Sequence, residues 1–172
     1  MIRIAIVEDD DSYIRALTGY LEQYGEQHSL SFHTSIFHDG LDIVTDYKAD
    51  YDIILMDIQM KHLDGMTTAE KIRKLDEDVS FIFITSTVSF AVQGYLVDAL
   101  GYVVKPVSYL AFSQILGKAI KKVTQKQQKN YLTIEVEAVR CVWILVRSII
   151  LKASGIMFSS TQKKEIFLQP DL

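Results

Sequence analysis

Residues 51 to 60 are YDIILMDIQM, and the architecture of the chain is argued from them. Ile53, Ile54, Leu55 and Met56 form a short unbroken apolar run, which suits a strand covered on both faces at the centre of a parallel sheet. Asp57 closes that run at the strand's carboxyl end. In open α/β sheets ligands bind along that edge, so a carboxylate there faces a crevice. A strand-ending Asp also serves as an ordinary turn cap. The choice between the two rests on whether other charged groups converge on Asp57.

Working outward, the chain alternates strand and helix. Upstream, IRIAIV (2 to 7) reads as a first strand and runs directly into Glu8, Asp9, Asp10 and Asp11. Asp11 or Ser12 can cap the next helix, whose Ile14, Leu17, Leu21 and Tyr24 share a face. LSFHTSIF (30 to 37) reads as a second strand. Asp39-Gly40 then turns the chain into a short helix with Leu41, Val44 and Tyr47 inward. Downstream of residue 57 come the Asp64-Gly65 turn and a helix over 66 to 75 with Met66, Ala69 and Ile72 on one side. Phe81 to Ile84 is a fourth strand ending in Thr85 and Ser86, and a helix follows over 88 to 97. Tyr102 to Val104 is a fifth strand ending at Lys105-Pro106. The last helix, 108 to 123, buries Phe112, Ile115, Leu116, Ala119, Ile120 and Val123. Five strand–helix repeats imply an α/β fold with a doubly wound five-stranded parallel sheet, because right-handed crossovers place helices on both faces. Glu8/Asp9, Asp57, Thr85 and Lys105 then all lie on one edge of one sheet.

Composition sets limits on function. A chain of 172 residues with 49% hydrophobic content holds one full domain and a smaller piece. No run of about 18 uncharged apolar residues occurs, and the amino terminus turns acidic too early for a signal peptide, so a cytoplasmic protein without membrane contact is expected. The single cysteine, Cys141, has no partner for a disulfide or a cysteine metal site, which agrees with a reducing compartment. Residues 1 to 122 carry eleven basic against eighteen acidic side chains, a net of −7, which suits cations or protein partners and argues against DNA contact by this part. His28, His33, His38 and His62 show no ligand spacing and read as surface or loop residues. Met56, Met60 and Met66 read as core filling.

Three carboxylates converging on one cleft need a cation, and hard oxygen ligands with room for water select magnesium over zinc. Lys105 adds a second positive charge. Asp57 is then suited to attack a phosphoryl group, with Lys105 neutralising phosphoryl oxygens and the Thr85 hydroxyl donating to one of them. A structural ion pair between Lys105 and one Asp explains neither the extra acids nor their common edge.

IVEDD, MDIQM with LDG shortly after, FITS and GYVVKP, in that order and spacing, resemble the receiver domain of two-component response regulators over residues 1 to 123. The resemblance implies a flavodoxin-like receiver fold in which Asp57 accepts a phosphoryl group from the phosphohistidine of a sensor histidine kinase. It implies Mg2+ held by Asp9, Asp57 and the backbone carbonyl of Gln59, with Glu8 assisting through water. Thr85 and Lys105 match the switch hydroxyl and the phosphate-pairing lysine. Tyr102 matches the aromatic that turns inward on activation, and the bond before Pro106 matches a cis-proline. Such a domain is a phosphoacceptor with at most slow self-dephosphorylation, not an enzyme. Homodimerisation through the face of the fourth helix, fifth strand and fifth helix is the family expectation. The sequence departs from the pattern at Lys61, where the family usually has Pro, which suggests a looser loop and weaker magnesium binding. It departs again at Gly101, where the nearest subfamily often has Asp.

KKVTQKQQKN (121 to 130) is polar and basic, and residues 124 to 130 read as a linker. Beyond it YLTIEV, VRCVWILV, SIILKAS, IMFSS and EIFL read as short antiparallel strands, a short all-β fragment over 131 to 172. It resembles the start of a LytTR-type DNA-binding domain and covers less than half of that module, so an incomplete output domain is expected. Trp143 departs from that family's second strand. The leading expectation is a LytTR-type response regulator with a truncated transcriptional output and doubtful DNA binding. The alternatives are a stand-alone receiver acting by protein contact or as a phosphate sink, and a phosphatase with an aspartyl nucleophile. Gln59, where such phosphatases commonly place a general-acid Asp, disfavours the last.

Overall fold

The computed structural model describes residues 1–86, 97–129, 131–136, 139–144, 152–153, 156–159 and 167–170. The chain divides into two compact units, Met1–Thr124 and Gln125–Leu172.

In the first unit the strands are β1 (Ile2–Val7), β2 (Phe32–Phe37), β3 (Ile53–Asp57), β4 (Ser80–Thr85) and β5 (Gly101–Val104). They form one sheet in the order β2-β1-β3-β4-β5, parallel throughout. The helices are α1 (Asp11–His28), α2 (Gly40–Thr45), α3 (Gly65–Leu75) and α4 (Tyr109–Lys129). The helix expected over 88 to 97 falls on residues outside those described, except for its last position, Val97, which is buried.

The predicted burial of Ile53 to Met56 on β3 holds, and Asp57, expected to face a crevice, is buried as well. Alternation along the strands divides the core into two layers. Ile4, Ile6, Ile53, Leu55, Ile82 and Ile84 meet Leu17, Leu21, Phe112 and Leu116 on one face, and Ala5, Ile54, Met56, Phe81 and Phe83 meet Ile43, Ala69 and Ile72 on the other. Fully burying each Ile, Leu, Met or Phe side chain among them contributes roughly 1.5–3 kcal/mol. Asp52 ties the amino-end rim of the sheet: its carboxylate accepts from the Arg3 amide (2.8 Å), its own amide donates to the Arg3 carbonyl (2.9 Å), and its carbonyl accepts from Ser80 (3.0 Å).

Local expectations need three corrections. The cap of α1 is Asp10, whose Oδ1 accepts from the Ser12 amide at 2.7 Å, and not Asp11 or Ser12. In α2 the fully buried residues are Gly40 and Ile43, while Val44 and, just beyond the helix, Tyr47 pack half-buried against the core as expected; Leu41 is the exception at 52% exposed, because the helix is only six residues long and Asp39 sets its start. The last helix runs six residues beyond 123, to Lys129, through most of the stretch read as linker. That stretch lacks Gly and Pro and is rich in Gln and Lys, which are good helix formers.

In the second unit, β6 (Tyr131–Val136) and β7 (Val139–Ile144) pair antiparallel. β8 (Lys152–Ala153), β9 (Ile156–Ser159) and β10 (Phe167–Pro170) form an antiparallel sheet in the order β10-β9-β8. These match the strand-rich pattern read from the sequence.

Candidate functional site

Because the strands are parallel, their carboxyl ends open on one rim. β1 delivers Glu8 and Asp9, β3 delivers Asp57, β4 ends in Thr85, and β5 hands on to Lys105. Sheet register brings them level: Asp57 stands opposite Ile84, and Thr85 opposite Val104.

The four consecutive acids separate by task. Asp10 caps α1, and its two hydrogen bonds from Ser12 hold its carboxyl below the ordinary value. Asp11 lies in the first turn of α1 with His38 Nδ1 at 3.9 Å, a favourable place for a negative charge at a helix amino end. Glu8 and Asp9 remain for the cleft. Glu8, Asp9 and Asp57 each offer an oxygen, all within 4.8 Å of one another. Glu8 and Asp57 are buried and Asp9 is half-buried, with Lys61 Nζ 3.8 Å from its Oδ2.

Lys105 balances this charge. Its ammonium lies 2.8 Å from Asp57 Oδ2 and 2.8 and 2.9 Å from the two oxygens of Glu8, with only 7% of its side chain exposed. Its remaining face lies 4.1 Å from the centre of the Tyr13 ring, a cation–π contact from the first turn of α1. Burial pulls the ammonium's pKa down, but the bonds to Asp57 and Glu8 outweigh it and the net direction is up. Burial raises Glu8 to about 7, with the Lys105 hydrogen bond opposing and the Asp57 charge adding to the rise. Three hard oxygen donors around a partly open cleft fit a small divalent cation that keeps some of its water, which is the character of magnesium. Glu8, Asp9 and Asp57 are the side chains that would hold it.

The loop after Asp57 is tightly placed. Gln59 donates its amide to Asp57 Oδ1 (3.2 Å), and Gly65 donates to the Ile58 carbonyl (3.0 Å). A Cβ on Gly65 would stand 2.0 Å from the Asp57 carbonyl oxygen, so the LDG turn requires glycine there. Thr85 is fully buried, and its carbonyl accepts from the Lys105 amide at 2.8 Å. Tyr102 packs its ring on Phe83 at 5.3 Å and 19°, with its hydroxyl buried and without a hydrogen-bond partner among the described residues. The Lys105-Pro106 bond is cis. Every residue singled out at the sheet edge from the sequence thus lies on this rim or in the loop beside it.

Two contacts beside the cleft were not read from the sequence, that of Tyr13 with Lys105 and that of Asp39 with residues 62 and 63. Tyr13 carries no motif. Asp39 and His62 are 23 positions apart, yet Asp39 Oδ2 accepts from the His62 amide at 3.0 Å. No short-range pattern signals either contact; the Asp39-Gly40 turn was the one available clue.

A five-stranded 2-1-3-4-5 sheet with an acidic cleft and a buried lysine on its carboxyl rim defines a phosphoacceptor signalling module. Residues 4–116 match the response regulator receiver domain, and the chain belongs to that family. As a receiver of two-component signalling it is a phosphoacceptor and not an enzyme in the ordinary sense, and the family implies a histidine kinase as its partner. The chain is similar to the transcriptional regulatory protein ZraR of Salmonella typhimurium, with 30% identity over 121 residues, covering 69% of this chain and 26% of that protein. It is similar to the sensory transduction protein LytR of Staphylococcus saprophyticus, with 32% identity over 87 residues, covering 49% of this chain and 34% of that one. It therefore spans about a quarter to a third of these curated relatives. Among solved structures, the response regulatory domain of mrkE from Klebsiella pneumoniae superposes with a TM-score of 0.65 at 25% identity, covering 72% of this chain and 99% of that one. No described helix is long and apolar enough to cross a membrane.

Proposed function

We propose that Asp57 accepts a phosphoryl group from the phosphohistidine of a sensor kinase, and that this switches a transcriptional output. The observation that carries the proposal is the convergence on Asp57 of an ammonium at 2.8 Å and two further carboxylates within 4.8 Å. An Asp57 oxygen attacks phosphorus, the P–N bond breaks, and its electron pair returns to the imidazole. Magnesium, when bound by Glu8, Asp9, Asp57 and the Gln59 carbonyl, supplies positive charge against the phosphoryl oxygens. Lys105 is already beside the acceptor and supplies a second charge without moving far, a preorganised arrangement. Thr85 donates its hydroxyl to the phosphoryl group and is drawn toward it. Tyr102, whose ring already lies against Phe83, follows, and the face of the predicted fourth helix, β5 and α4 changes its association. A relative named as a transcriptional regulatory protein supports a transcriptional output, and the likeness to a LytR protein with the antiparallel strands after residue 130 favours the LytTR type. Mass spectrometry after incubation with acetyl phosphate and magnesium tests the reading. One hydroxylamine-labile phosphoryl group is expected on the wild type and none on Asp57→Asn; equal labelling of both sinks the assignment.

A further inference from the structure

The carboxylate of Asp39 does more than an amino-terminal cap requires. It sits between β2 and α2 and is 7% exposed. Oδ1 accepts from the Leu41 amide at 2.9 Å, which is the cap of α2, and also from the Leu63 amide at 3.2 Å. Oδ2 accepts from the His62 amide at 3.0 Å and faces His62 Nδ1 at 3.2 Å. A cap needs one acceptor, and serine supplies it. The contacts to residues 62 and 63 join α2 to the loop that runs from Asp57 to Gly65. The neighbouring glycine shows how close this junction is: a Cβ on Gly40 would stand 1.9 Å from Thr68 Oγ1 and 2.6 Å from the Leu63 carbonyl. Thr68 Oγ1 in turn donates to the Asp64 carbonyl at 2.8 Å.

That loop carries Gln59, whose carbonyl would help to hold the cation in the proposed reading and whose amide donates to Asp57 Oδ1 at 3.2 Å. It also carries Lys61 where a ring-stiffened proline is the usual device, and the absence of that ring suggested a looser loop. The structure shows an alternative restraint from outside the loop. A buried carboxylate with two acceptor bonds to consecutive amides fixes their peptide planes, and such bonds to a charged acceptor are roughly twice as strong as neutral ones. His62, 75% exposed in its side chain, closes over the same oxygen.

We propose that Asp39 is a positioning residue for the cation site: it touches neither Asp57 nor the metal, but holds the 58–64 loop so that the Gln59 carbonyl meets the acidic cleft. This rests on the magnesium reading given above. The test uses the full chain with magnesium as the only ligand. Asp39→Ser keeps a cap for α2 but is too short to reach the loop. Ile43→Ala destabilises α2 through the core and leaves the loop contacts alone. Magnesium affinity is measured by calorimetry and stability by urea unfolding without metal. Asp39→Ser should weaken magnesium binding about tenfold, the scale of loss when a residue that orients a metal ligand is removed. Ile43→Ala should lose stability with unchanged affinity, and Asp39→Asn, which retains one acceptor oxygen, should fall between wild type and Asp39→Ser. If Asp39→Ser binds magnesium as the wild type does, or Ile43→Ala loses affinity equally, the positioning role is overturned and the site reading stands. If the wild type itself binds no magnesium, the site reading fails and takes the positioning role with it.

Discussion

Replacing Lys105 by methionine keeps most of the side-chain stem and deletes the charge. The ammonium is 2.8 Å from both Asp57 and Glu8. At an effective dielectric of about 20, each such contact carries about 6 kcal/mol of Coulomb energy, which the desolvation of the ammonium largely offsets. Stranding a buried ion's partners typically costs about 3–5 kcal/mol. Here a proton limits the loss. Burial already pushes Glu8 up to about 7 against the lowering effect of Lys105, so with the ammonium gone its pKa rises further and near neutral pH it takes up a proton in place of the lysine. The variant should therefore lose about 3 kcal/mol near neutral pH, more at higher pH and less at lower. Saturating magnesium restores the missing positive charge, and at 100 times its dissociation constant it contributes about 2.7 kcal/mol. Magnesium binding should not weaken in the variant, because a competing cation has gone. Urea unfolding followed by circular dichroism, at several pH values with chelator or with magnesium, measures all three effects. A variant within about 0.5 kcal/mol of wild type in chelator, with no dependence on pH, would refute the argument that this ammonium balances two buried carboxylates.

Four further outcomes are expected. Without divalent cations the wild type should become less stable as pH rises from about 4.5 to about 7: the folded state holds the Glu8 proton longer than the unfolded one, a difference of roughly 3 kcal/mol. Glu8→Gln should flatten that slope in urea titrations. Gly65→Ala should cost about 3 kcal/mol or more by thermal unfolding, since the new methyl group meets backbone and not a flexible side chain. Tyr13→Leu should slow phosphoryl loading from acetyl phosphate several-fold and cost about 1 kcal/mol; Tyr13→Phe, which keeps the ring over Lys105, should restore both, and if it does not, the hydroxyl matters and the cation–π reading is wrong. In gel-shift titrations against promoter fragments with competitor DNA, no saturable salt-sensitive complex should form, because residues 131 to 172 carry five basic against four acidic side chains and the receiver adds a net −7.

How much was legible in the sequence follows from the range of each signal. The run at 53 to 56 and the acids after β1 are local, and strand–helix alternation carries them to one rim by topology alone. Lys105 was legible for the same reason: it ends an apolar strand. The Asp39 contacts to residues 62 and 63 were not, because they depend on how closely α2 approaches the loop, which no periodicity encodes. The cap of α1 was missed by one residue, since Asp10, Asp11 and Ser12 all have capping chemistry and only backbone geometry chooses among them. The length of α4 was missed because a polar, basic composition suits a solvated helix as well as a linker.

The two rims of the sheet divide the molecule's tolerance to change. Asp52 and Arg3 tie the amino-end rim, and Asp57 and Lys105 work at the other, with the five residues of β3 between them. At about 3.3 Å per residue the rims stand roughly 16 Å apart, beyond the distance of about 7–10 Å within which substitutions usually interact. Changes at the two rims should therefore combine additively. Variation in the lower turns can accumulate and set how firmly the sheet is held while the acidic cleft keeps its chemistry, and a drift in the cleft's metal affinity leaves the lower turns unchallenged. The parallel sheet thus lets two properties of one small unit evolve on separate schedules.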